Sequence, residues 1–357
     1  MRIEELKERY GLKTASDLPS VAELKIPTGL PYFDYVTGGG IRRGSITLIS
    51  GGAYSGKTTL ALCIAANAEF PCYLDSESAI TKELLDLRGI DNMEIFAPGD
   101  LQSMLAIAES ELESGEHDLI VLDSPSICYP KLQSDDGYKD SALDEPAVGL
   151  GARIFSNWIR RANGLLRSHR NVALVVIQHE RMDMNVGGYA PPRRAVALGK
   201  EQLYACDLHV RCDGERLTVP VQTPKGLEGT DTSQRHVLVA LRCHWQLEKA
   251  RLLVPCTPQG SFIIGLASVG DWEAGRLYLA EERFRYLLAI NKLRVKKGGY
   301  YELPAGMVRG REALIDCLEN RWEEIVEALQ KDDSAESGGA DENGQSKGAQ
   351  EGSEAGS

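Results

Sequence analysis

The sequence predicts an α/β protein built on a mostly parallel β-sheet flanked by helices, and three observations support this prediction. The chain has 357 residues, 43% of them hydrophobic, which suits one large globular core with a small appendage. Short apolar runs alternate with segments of helical periodicity between residues 46 and 178, and a glycine-rich motif joins the first run to the first helical segment. Such alternation is typical of parallel sheets that bind ligands at the carboxyl ends of their strands.

The individual elements follow from this alternation of apolar runs and periodic segments. A short amphipathic helix at residues 3–10 and an extended linker at 14–24 are expected to precede the sheet. The strands are predicted at residues 46–50, 73–75, 94–96, 119–123 and 172–178, and the helices at 57–68, 81–88, 101–112 and 151–168.

The strongest local motif is Gly51-Gly52-Ala53-Tyr54-Ser55-Gly56-Lys57-Thr58, which has the pattern G-x-x-x-x-G-K-[ST] of a phosphate-binding loop. A predicted strand precedes it and a predicted helix follows, so its backbone N–H groups can point at phosphates. In this geometry Lys57 reaches the β- and γ-phosphates and Thr58 holds Mg²⁺. The motif therefore predicts ATP or GTP binding; the alternative is a glycine-rich turn without a ligand.

Polar side chains at three other strand ends extend this site. Asp123 ends a fully apolar strand, which is the Walker B arrangement that orients Mg²⁺. Glu77 follows the strand that ends at Asp75 and can polarise water for attack on a γ-phosphate, although an acid at a helix start is the alternative. Gln178 ends a further strand, where an amide can sense the γ-phosphate.

Charge and composition restrict the remaining possibilities. The net charge is −12, and residues 331–357 contribute −5 of it because seven acidic residues accompany two lysines. That segment lacks aromatic and aliphatic β-branched residues, which predicts a disordered acidic tail. The eight cysteines contain no C-x-x-C pair and are expected to be reduced thiols of a cytoplasmic protein. No apolar run approaches the ~20 residues of a membrane span, and no secretory signal is recognisable.

Taken together, these residues resemble the RecA-type recombinases, and residues 75–81, with 89–91 after them, are especially similar to the phage UvsX branch. The likeness is good from residue 25 to residue 210 and fainter beyond, where residues 297–303 resemble the small carboxy-terminal domain of bacterial RecA. It is carried by residues 26–34 and 38–44 ahead of the phosphate loop, 75–81 around Glu77, 121–131 around Asp123, and 149–153.

The resemblance implies four regions and a RecA-like fold. Residues 1–24 would form the amino-terminal helix and linker, 25–270 the RecA-like ATPase core, 271–330 a small α+β carboxy-terminal domain, and 331–357 the acidic tail.

The resemblance also implies ATP and Mg²⁺ as cofactors and a role for each site residue. Catalysis would depend on Glu77, Lys57 and Gln178, and Mg²⁺ would be held by Thr58 and Asp123. The predicted nucleotide-binding residues are Gly51, Gly52, Ala53, Tyr54, Ser55, Gly56, Lys57, Thr58 and Thr59.

In this family the segment after Gln178 would contact DNA. Residues 181–194 contain three arginines together with glycines and prolines. Arginines suit phosphate oxygens, and an apolar side chain can insert between bases. The predicted DNA contacts are therefore Arg181, Met184, Arg193 and Arg194; a flexible surface loop without a ligand is the alternative.

Several positions depart from the family pattern. Leu84 stands where the family stacks an aromatic ring on adenine, and Gly199 alone remains of the glycines that close the second DNA loop. Arg242 and His244 replace two lysines that reach the neighbouring subunit, although Arg242 can still act as an arginine finger. Residues 135–145 are mainly acidic, which is poor chemistry for phosphate contact.

Three functional hypotheses follow from these expectations. The first is an ATP-dependent DNA recombinase, a homo-oligomer that forms a helical filament on single-stranded DNA and promotes pairing and strand exchange with double-stranded DNA. The second is a RecA paralogue that binds ATP and acts as a loader or regulator without strand exchange. The third, a hexameric helicase on the same core, is disfavoured because no amino-terminal scaffold domain precedes the core.

Overall fold

The computed structural model describes residues 24–134, 137–139, 149–183, 193–221, 235–251 and 258–338. The predicted amino-terminal helix, Met184 and the tail beyond Gly338 lie outside the described residues. The chain divides into two compact units, Met1–Glu282 and Arg283–Ser357.

Helices and strands alternate along much of the first unit. The helices are α1 (Pro31–Thr37), α2 (Lys57–Ala65), α3 (Lys82–Asp86), α4 (Leu101–Ser114), α5 (Leu150–Ser168), α6 (Glu201–Ala205), α7 (Ala280–Ala289), α8 (Arg311–Asn320) and α9 (Trp322–Gly338). The strands are β1 (Lys25–Ile26), β2 (Ile41–Arg42), β3 (Ile46–Gly51), β4 (Pro71–Asp75), β5 (Glu94–Phe96), β6 (Leu119–Asp123), β7 (Leu132–Ser134), β8 (Gly137–Lys139), β9 (Ala173–Asp183), β10 (Arg193–Val196), β11 (Leu208–Val221), β12 (Arg235–Ala250), β13 (Gln259–Gly265), β14 (Leu277–Tyr278), β15 (Arg294–Lys296), β16 (Tyr300–Leu303) and β17 (Gly306–Arg309).

Ten of the described strands of the first unit form one sheet. Nine of them follow the order β14-β13-β12-β11-β3-β9-β6-β4-β5, and β10 pairs with β9 beside this path. The pairs β1-β2 and β7-β8 are separate from it. Neighbouring strands from β11 to β5 are parallel. Strands β11 to β14 continue the sheet as antiparallel pairs. The predicted α/β class with a mostly parallel central sheet is confirmed.

The central strands are buried on both faces because their alternate side chains pack into two separate apolar layers. Ile49 and Val121 face the layer that contains α2, whereas Leu48 and Ile120 face the layer that contains α4 and α5. Continuous apolar runs are what strands covered on both sides require. This double cover places the strand ends, rather than the strand faces, in contact with any ligand.

The strand predicted at residues 172–178 is longer in the structure. Strand β9 continues to Asp183, and its last four residues pair with β10, from Glu180 opposite Val196 to Asp183 opposite Arg193. We call these paired residues, 180–183 with 193–196, the β9–β10 arm. Its backbone hydrogen bonds extend the strand past the sequence position where apolar residues give way to charged ones.

The second unit contains a three-stranded antiparallel sheet, β15-β16-β17, followed by α8 and α9. The boundary between the two compact units lies after Glu282. The buried Glu282 carboxylate belongs to the first unit and accepts hydrogen bonds from Trp245 Nε1 at 2.6 Å and from the Phe33 N–H at 3.2 Å. Helix α9 extends to Gly338, past the predicted start of the acidic tail.

Two sequence expectations concern the chain as a whole. The cysteines within the described ranges are free thiols, and all of them except Cys128 are buried. Within the same ranges, no helix has both the length and the apolar character needed to cross a membrane.

Candidate active site

The phosphate loop connects the end of β3 to the start of α2. Two of its residues have left-handed backbone conformations, Tyr54 with a φ of 57° and Gly56 with a φ of 85°. Gly56 is also the residue that caps α2, whose first residue is Lys57. Successive backbone N–H groups in such a conformation form an anion-binding concavity at a helix N-terminus.

The three glycines of the loop have different surroundings, which explain why each position has no side chain. A Cβ on Gly51 would overlap the carbonyl oxygen of Cys212, and a Cβ on Gly56 would overlap the thiol of Cys243. These two glycines therefore allow the loop to pack closely against β11 and β12. A Cβ on Gly52 would meet no atom within 4 Å, so this residue faces open space on the ligand side.

Lys57 lies across the loop with only 6% of its surface exposed. Its Nζ donates a hydrogen bond of 2.6 Å to the carbonyl oxygen of Gly52, which also accepts from Ser55 Oγ at 2.8 Å. Burial lowers the pKa of Lys57 because desolvation disfavours the ammonium form. A phosphate beside this ammonium would add negative charge to that of Asp123, Glu77 and Glu180, which already oppose the lowering.

Thr58 and Asp123 meet directly, as the sequence predicts for a metal-binding pair. Thr58 Oγ1 donates to Asp123 Oδ2 at 2.8 Å, and the hydroxyl of Tyr73 donates to the same oxygen at 2.6 Å. Asp123 is 1% exposed, and this burial raises its pKa while the two hydroxyl donors oppose the rise. A divalent cation here would favour the ionised carboxylate.

The loop that carries Glu77 is fixed by its neighbours. Asp75 Oδ1 accepts the N–H of Glu77 at 3.0 Å, and Asp75 Oδ2 accepts the N–H of Ile80 at 2.9 Å. Ser76 joins this loop to the end of β6, because its N–H donates to the Asp123 carbonyl at 2.8 Å and its Oγ accepts from the Ser124 N–H at 3.0 Å. Glu77 is thereby held close to Asp123.

The side chain of Glu77 contacts His179, the residue after Gln178. Glu77 Oε1 lies 2.9 Å from His179 Nε2, and both side chains are about a quarter exposed, at 29% and 26%. The hydrogen bond from His179 is the largest of several influences that lower the pKa of Glu77. The carboxylate is therefore ionised at neutral pH, the state in which it can accept a proton.

Gln178 is fully buried in the middle of β9, opposite Ser50 in the register with β3. Neither its Nε2 nor its Oε1 has a hydrogen-bond partner within the protein. Buried amides are ordinarily satisfied, so this amide has capacity for hydrogen bonds to a ligand or to water.

These groups fit a nucleotide with Mg²⁺. The Thr58 hydroxyl and the Asp123 carboxylate are hard oxygen ligands of the kind that Mg²⁺ binds. The open glycine loop and the desolvated Lys57 suit phosphate oxygens, and the unpartnered Gln178 lies opposite Ser50, one residue before the loop.

Three of the four predicted DNA contacts, Arg181, Arg193 and Arg194, lie on the β9–β10 arm. Arg181 is exposed, and its backbone pairs with Ala195. Arg194 is half exposed and forms an ion pair with Asp213, with Glu180 3.8 Å away. Met184 and the side chain of Arg193 lie outside the described residues.

The positions that depart from the family pattern are also placed. Leu84 packs against the apolar layer beside α2 and is only partly buried. Arg242 forms an ion pair with Glu215 at 2.8 Å, and His244 lies 3.5 Å from the same carboxylate. Gly199 has a φ of 88°, which suits a glycine at the turn after the arm.

Two residues of the site, Tyr73 and His179, were not predicted from the sequence. Tyr73 lies in an apolar strand, and its hydroxyl is the one polar group there that could have indicated a partner at Asp123. His179 follows Gln178 at a strand end, where a titratable side chain would have been a candidate by the same strand-end rule used for Glu77.

Comparisons with known proteins agree with this geometry. Residues 2–222 match the family model for the RecA N-terminal domain. Protein RecA of Aquifex aeolicus (strain VF5) is 34% identical over 194 residues, which cover 52% of this chain and 54% of that protein. Protein RecA of Helicobacter pylori (strain Shi470) is 33% identical over 216 residues, which cover 58% of each chain. This chain thus spans somewhat more than half the length of these curated relatives.

A solved structure, described as the crystal structure of the RadB recombinase, matches with a TM-score of 0.47 and 23% identity, covering 67% of this chain and 96% of that one. The family assignment depends on the sequence model, which matches more than half of the 357 residues. This chain belongs to the RecA-type recombinase family, whose members are P-loop ATPases.

Proposed function

We propose that this protein is an ATP-dependent DNA recombinase of the cytoplasm, which assembles as a filament on single-stranded DNA and promotes homologous pairing and strand exchange. One observation carries the proposal. Strand β9 passes from the unpartnered amide of Gln178 directly into the arm that bears Arg181 and Arg194. A nucleotide-sensing group and a DNA-contacting segment on one continuous strand are what coupling between ATP and DNA requires.

ATP would supply the transferable phosphoryl group, and Mg²⁺ would supply positive charge that offsets the negative charge of the phosphates. Thr58 and Asp123 would hold the cation, and Lys57 would exchange its bond to the Gly52 carbonyl for phosphate oxygens. Glu77 would orient a water and accept its proton, because its carboxylate is ionised and lies near Asp123. Gln178 would donate its amide N–H to the terminal phosphate.

Two sets of contacts support the coupling of this chemistry to DNA and to a neighbouring subunit. A shift of Gln178 toward a phosphate would move the first residues of the β9–β10 arm, since both belong to β9. Arg242 lies on β12 in an ion pair with Glu215, and both side chains are more than a third exposed, at 37% and 50%. Release of that pair would let Arg242 act on a nucleotide bound by the adjacent protomer, as an arginine finger does.

A RecA paralogue that loads or regulates a recombinase is the second candidate. It is favoured by the pairing of Arg194 with Asp213 and of Arg242 with Glu215, which neutralises cations that strand exchange would use. The partial cover of the curated relatives favours it too, since the match extends over little more than half their length.

Two assays on one preparation separate these candidates. ATP turnover is measured with and without single-stranded DNA, and strand exchange is then measured between single-stranded and homologous double-stranded DNA. Turnover stimulated by DNA, together with exchange, supports the recombinase. Binding of ATP and DNA without exchange supports the loader, and directional unwinding of duplex DNA would overturn both.

A further inference from the structure

The contact between His179 and Glu77 has no role in the proposed mechanism described above. Glu77 Oε1 and His179 Nε2 are 2.9 Å apart although 102 residues separate them in the sequence. The imidazole therefore directs an N–H at one carboxylate oxygen and leaves Oε2 free of this contact. A carboxylate anchored through one oxygen keeps a fixed direction for the other.

His179 is also held by the backbone on three sides. It lies opposite Gly51, the first residue of the phosphate loop, in the register of β9 with β3. Its N–H donates to Ser126 Oγ at 3.4 Å, and its carbonyl accepts the N–H of Ala197 at 3.0 Å. His179 thus joins the phosphate loop, the segment after β6 and the base of the β9–β10 arm.

The ionisable groups around the pair leave the imidazole as the principal partner of Glu77. Lys57 and the Ser124 hydroxyl act on the Glu77 carboxylate as smaller influences. Asp75 directs its two oxygens at the N–H groups of Glu77 and Ile80. Glu180, next to His179, directs Oε1 at Ser50 and Oε2 toward Arg194.

We propose that His179 is a positioning residue that holds Glu77 for the activation of water and links it to the DNA arm. The proposal rests on the proposed hydrolytic function. During hydrolysis the water oxygen bonds to the γ-phosphorus, the bond to the ADP oxygen breaks, and Glu77 takes the proton of the water. His179 keeps its own proton throughout and touches neither water nor phosphate.

Two consequences distinguish this role from simple stabilisation of the fold. Loss of the imidazole should lower kcat and leave the affinity for ATP unchanged, because His179 acts on the orientation of Glu77. Because His179 lies at the base of the arm, its loss should affect DNA-stimulated turnover more than turnover without DNA.

The test compares His179→Ala and His179→Gln with the unaltered protein. For each protein, kcat and KM for ATP are measured with and without single-stranded DNA, and the affinity for ATP is measured separately. Misplacement of a catalytic group costs about 10- to 100-fold, so His179→Ala should lose that factor in kcat with DNA and keep its ATP affinity. His179→Gln, whose amide N–H can replace the imidazole donor, should recover most of kcat.

Two results would overturn the positioning role: a kcat for His179→Ala within twofold of the unaltered protein, or equal losses of kcat in His179→Ala and His179→Gln. Glu77→Gln separates this failure from failure of the proposed function. If Glu77→Gln is inactive while His179→Ala is fully active, only the positioning role is wrong. If the unaltered protein does not hydrolyse ATP, or Glu77→Gln hydrolyses it at the full rate, the proposed function itself is wrong.

Discussion

The polar groups around the phosphate loop and the cations of the neighbouring arm and strands differ in how their charges and hydrogen bonds are satisfied. Near the loop, the Gln178 amide has no partner, Gly52 faces open space and Lys57 is bonded only to uncharged oxygens. On β10 to β12, by contrast, Arg194 and Arg211 share Asp213, and Arg242 is paired with Glu215.

The difference teaches that the two regions would bind phosphate in different ways. The loop can accept a nucleotide by filling donors that are already oriented and desolvated. Under the proposed function, the arm would exchange carboxylates of its own chain for phosphates of DNA. Exposed ion pairs contribute only about 0–1 kcal/mol each, so this exchange is feasible and depends strongly on salt. It also explains how a chain of net charge −12 is compatible with a polyanionic partner.

Removal of the loop cation should have the largest effect. Lys57→Ala deletes the buried ammonium, and loss of one partner of a desolvated charged contact costs roughly 10²- to 10³-fold in affinity. Isothermal titration with ATP and Mg²⁺ should then detect no binding. Lys82→Ala, which removes an exposed lysine paired with Asp86, is the matched control and should bind normally. Unchanged affinity in Lys57→Ala would remove the loop from the site.

The burial of polar groups beside the phosphate loop should also make the folded protein less stable in acid. His209 is 8% exposed and hydrogen-bonded to Ser50 Oγ at 2.8 Å, and burial lowers its pKa from 6.5 to about 4. Below about pH 6.5 the unfolded chain gains a proton on His209, whereas the folded chain gains it only near pH 4. The contribution of the neutral His209 to stability is therefore complete above pH 6.5 and decreases toward pH 4. The lowering of the pKa of His209 from 6.5 to about 4 corresponds to about 3 kcal/mol of unfolding free energy.

Urea unfolding at pH 7 and at pH 4.5 measures this effect. His209→Asn should lose less unfolding free energy between the two pH values than the unaltered protein does. His236→Asn, which replaces an exposed histidine, should keep the full loss. Equal losses in all three proteins would show that His209 is not desolvated.

Removal of arm cations should have a moderate effect on DNA binding. Each phosphate contact to single-stranded DNA contributes about 0.7 to the slope of log K against log salt, so Arg181→Ala with Arg194→Ala should reduce the slope by about 1.4. The control double variant removes Arg160 and Arg161 of α5, each of which forms an ion pair with a glutamate. The slope of log K against log salt is measured by fluorescence anisotropy at salt concentrations from about 50 to about 300 mM. An unchanged slope would move the DNA site elsewhere.

Release of the arm cations should produce the smallest effect, in the opposite direction. Asp213→Asn removes the carboxylate shared by Arg194 and Arg211. Arg211 keeps its pair with Glu248, whereas Arg194 keeps only the longer 3.8 Å contact with Glu180 and becomes more available to phosphate. Binding of single-stranded DNA at low salt should tighten by roughly two- to tenfold, since exposed pairs are weak. Asp271→Asn removes an exposed carboxylate of the same charge and should tighten binding less. Equal tightening in both variants would indicate that net charge, rather than the ion pairs, limits binding.

The parts of the site that the sequence predicts are those that follow from one strand end at a time. Lys57, Glu77, Asp123 and Gln178 each follow an apolar run, and the carboxyl ends of parallel strands meet at one edge of a sheet. The central strands were recognisable for the same reason, because burial on both faces requires a continuous apolar run.

The parts that could not be predicted depend on contacts between distant residues. Tyr73 reaches Asp123 across 50 residues, and His179 reaches Glu77 across 102. Glu282, at the end of the first unit, bonds to Phe33 249 residues away. The pairing of Arg242 with Glu215 requires the register of β12 against β11, which no local pattern specifies.

The central claim is that Glu77 and the β9–β10 arm belong to one DNA-coupled hydrolytic site. The most direct test is ATP turnover by Glu77→Gln with saturating single-stranded DNA, measured on protein whose ATP and DNA affinities match those of the unaltered chain. Loss of a general base lowers turnover by about 10²- to 10⁴-fold, and we predict a decrease of that size with both affinities retained. Full DNA-stimulated turnover in Glu77→Gln would contradict the account.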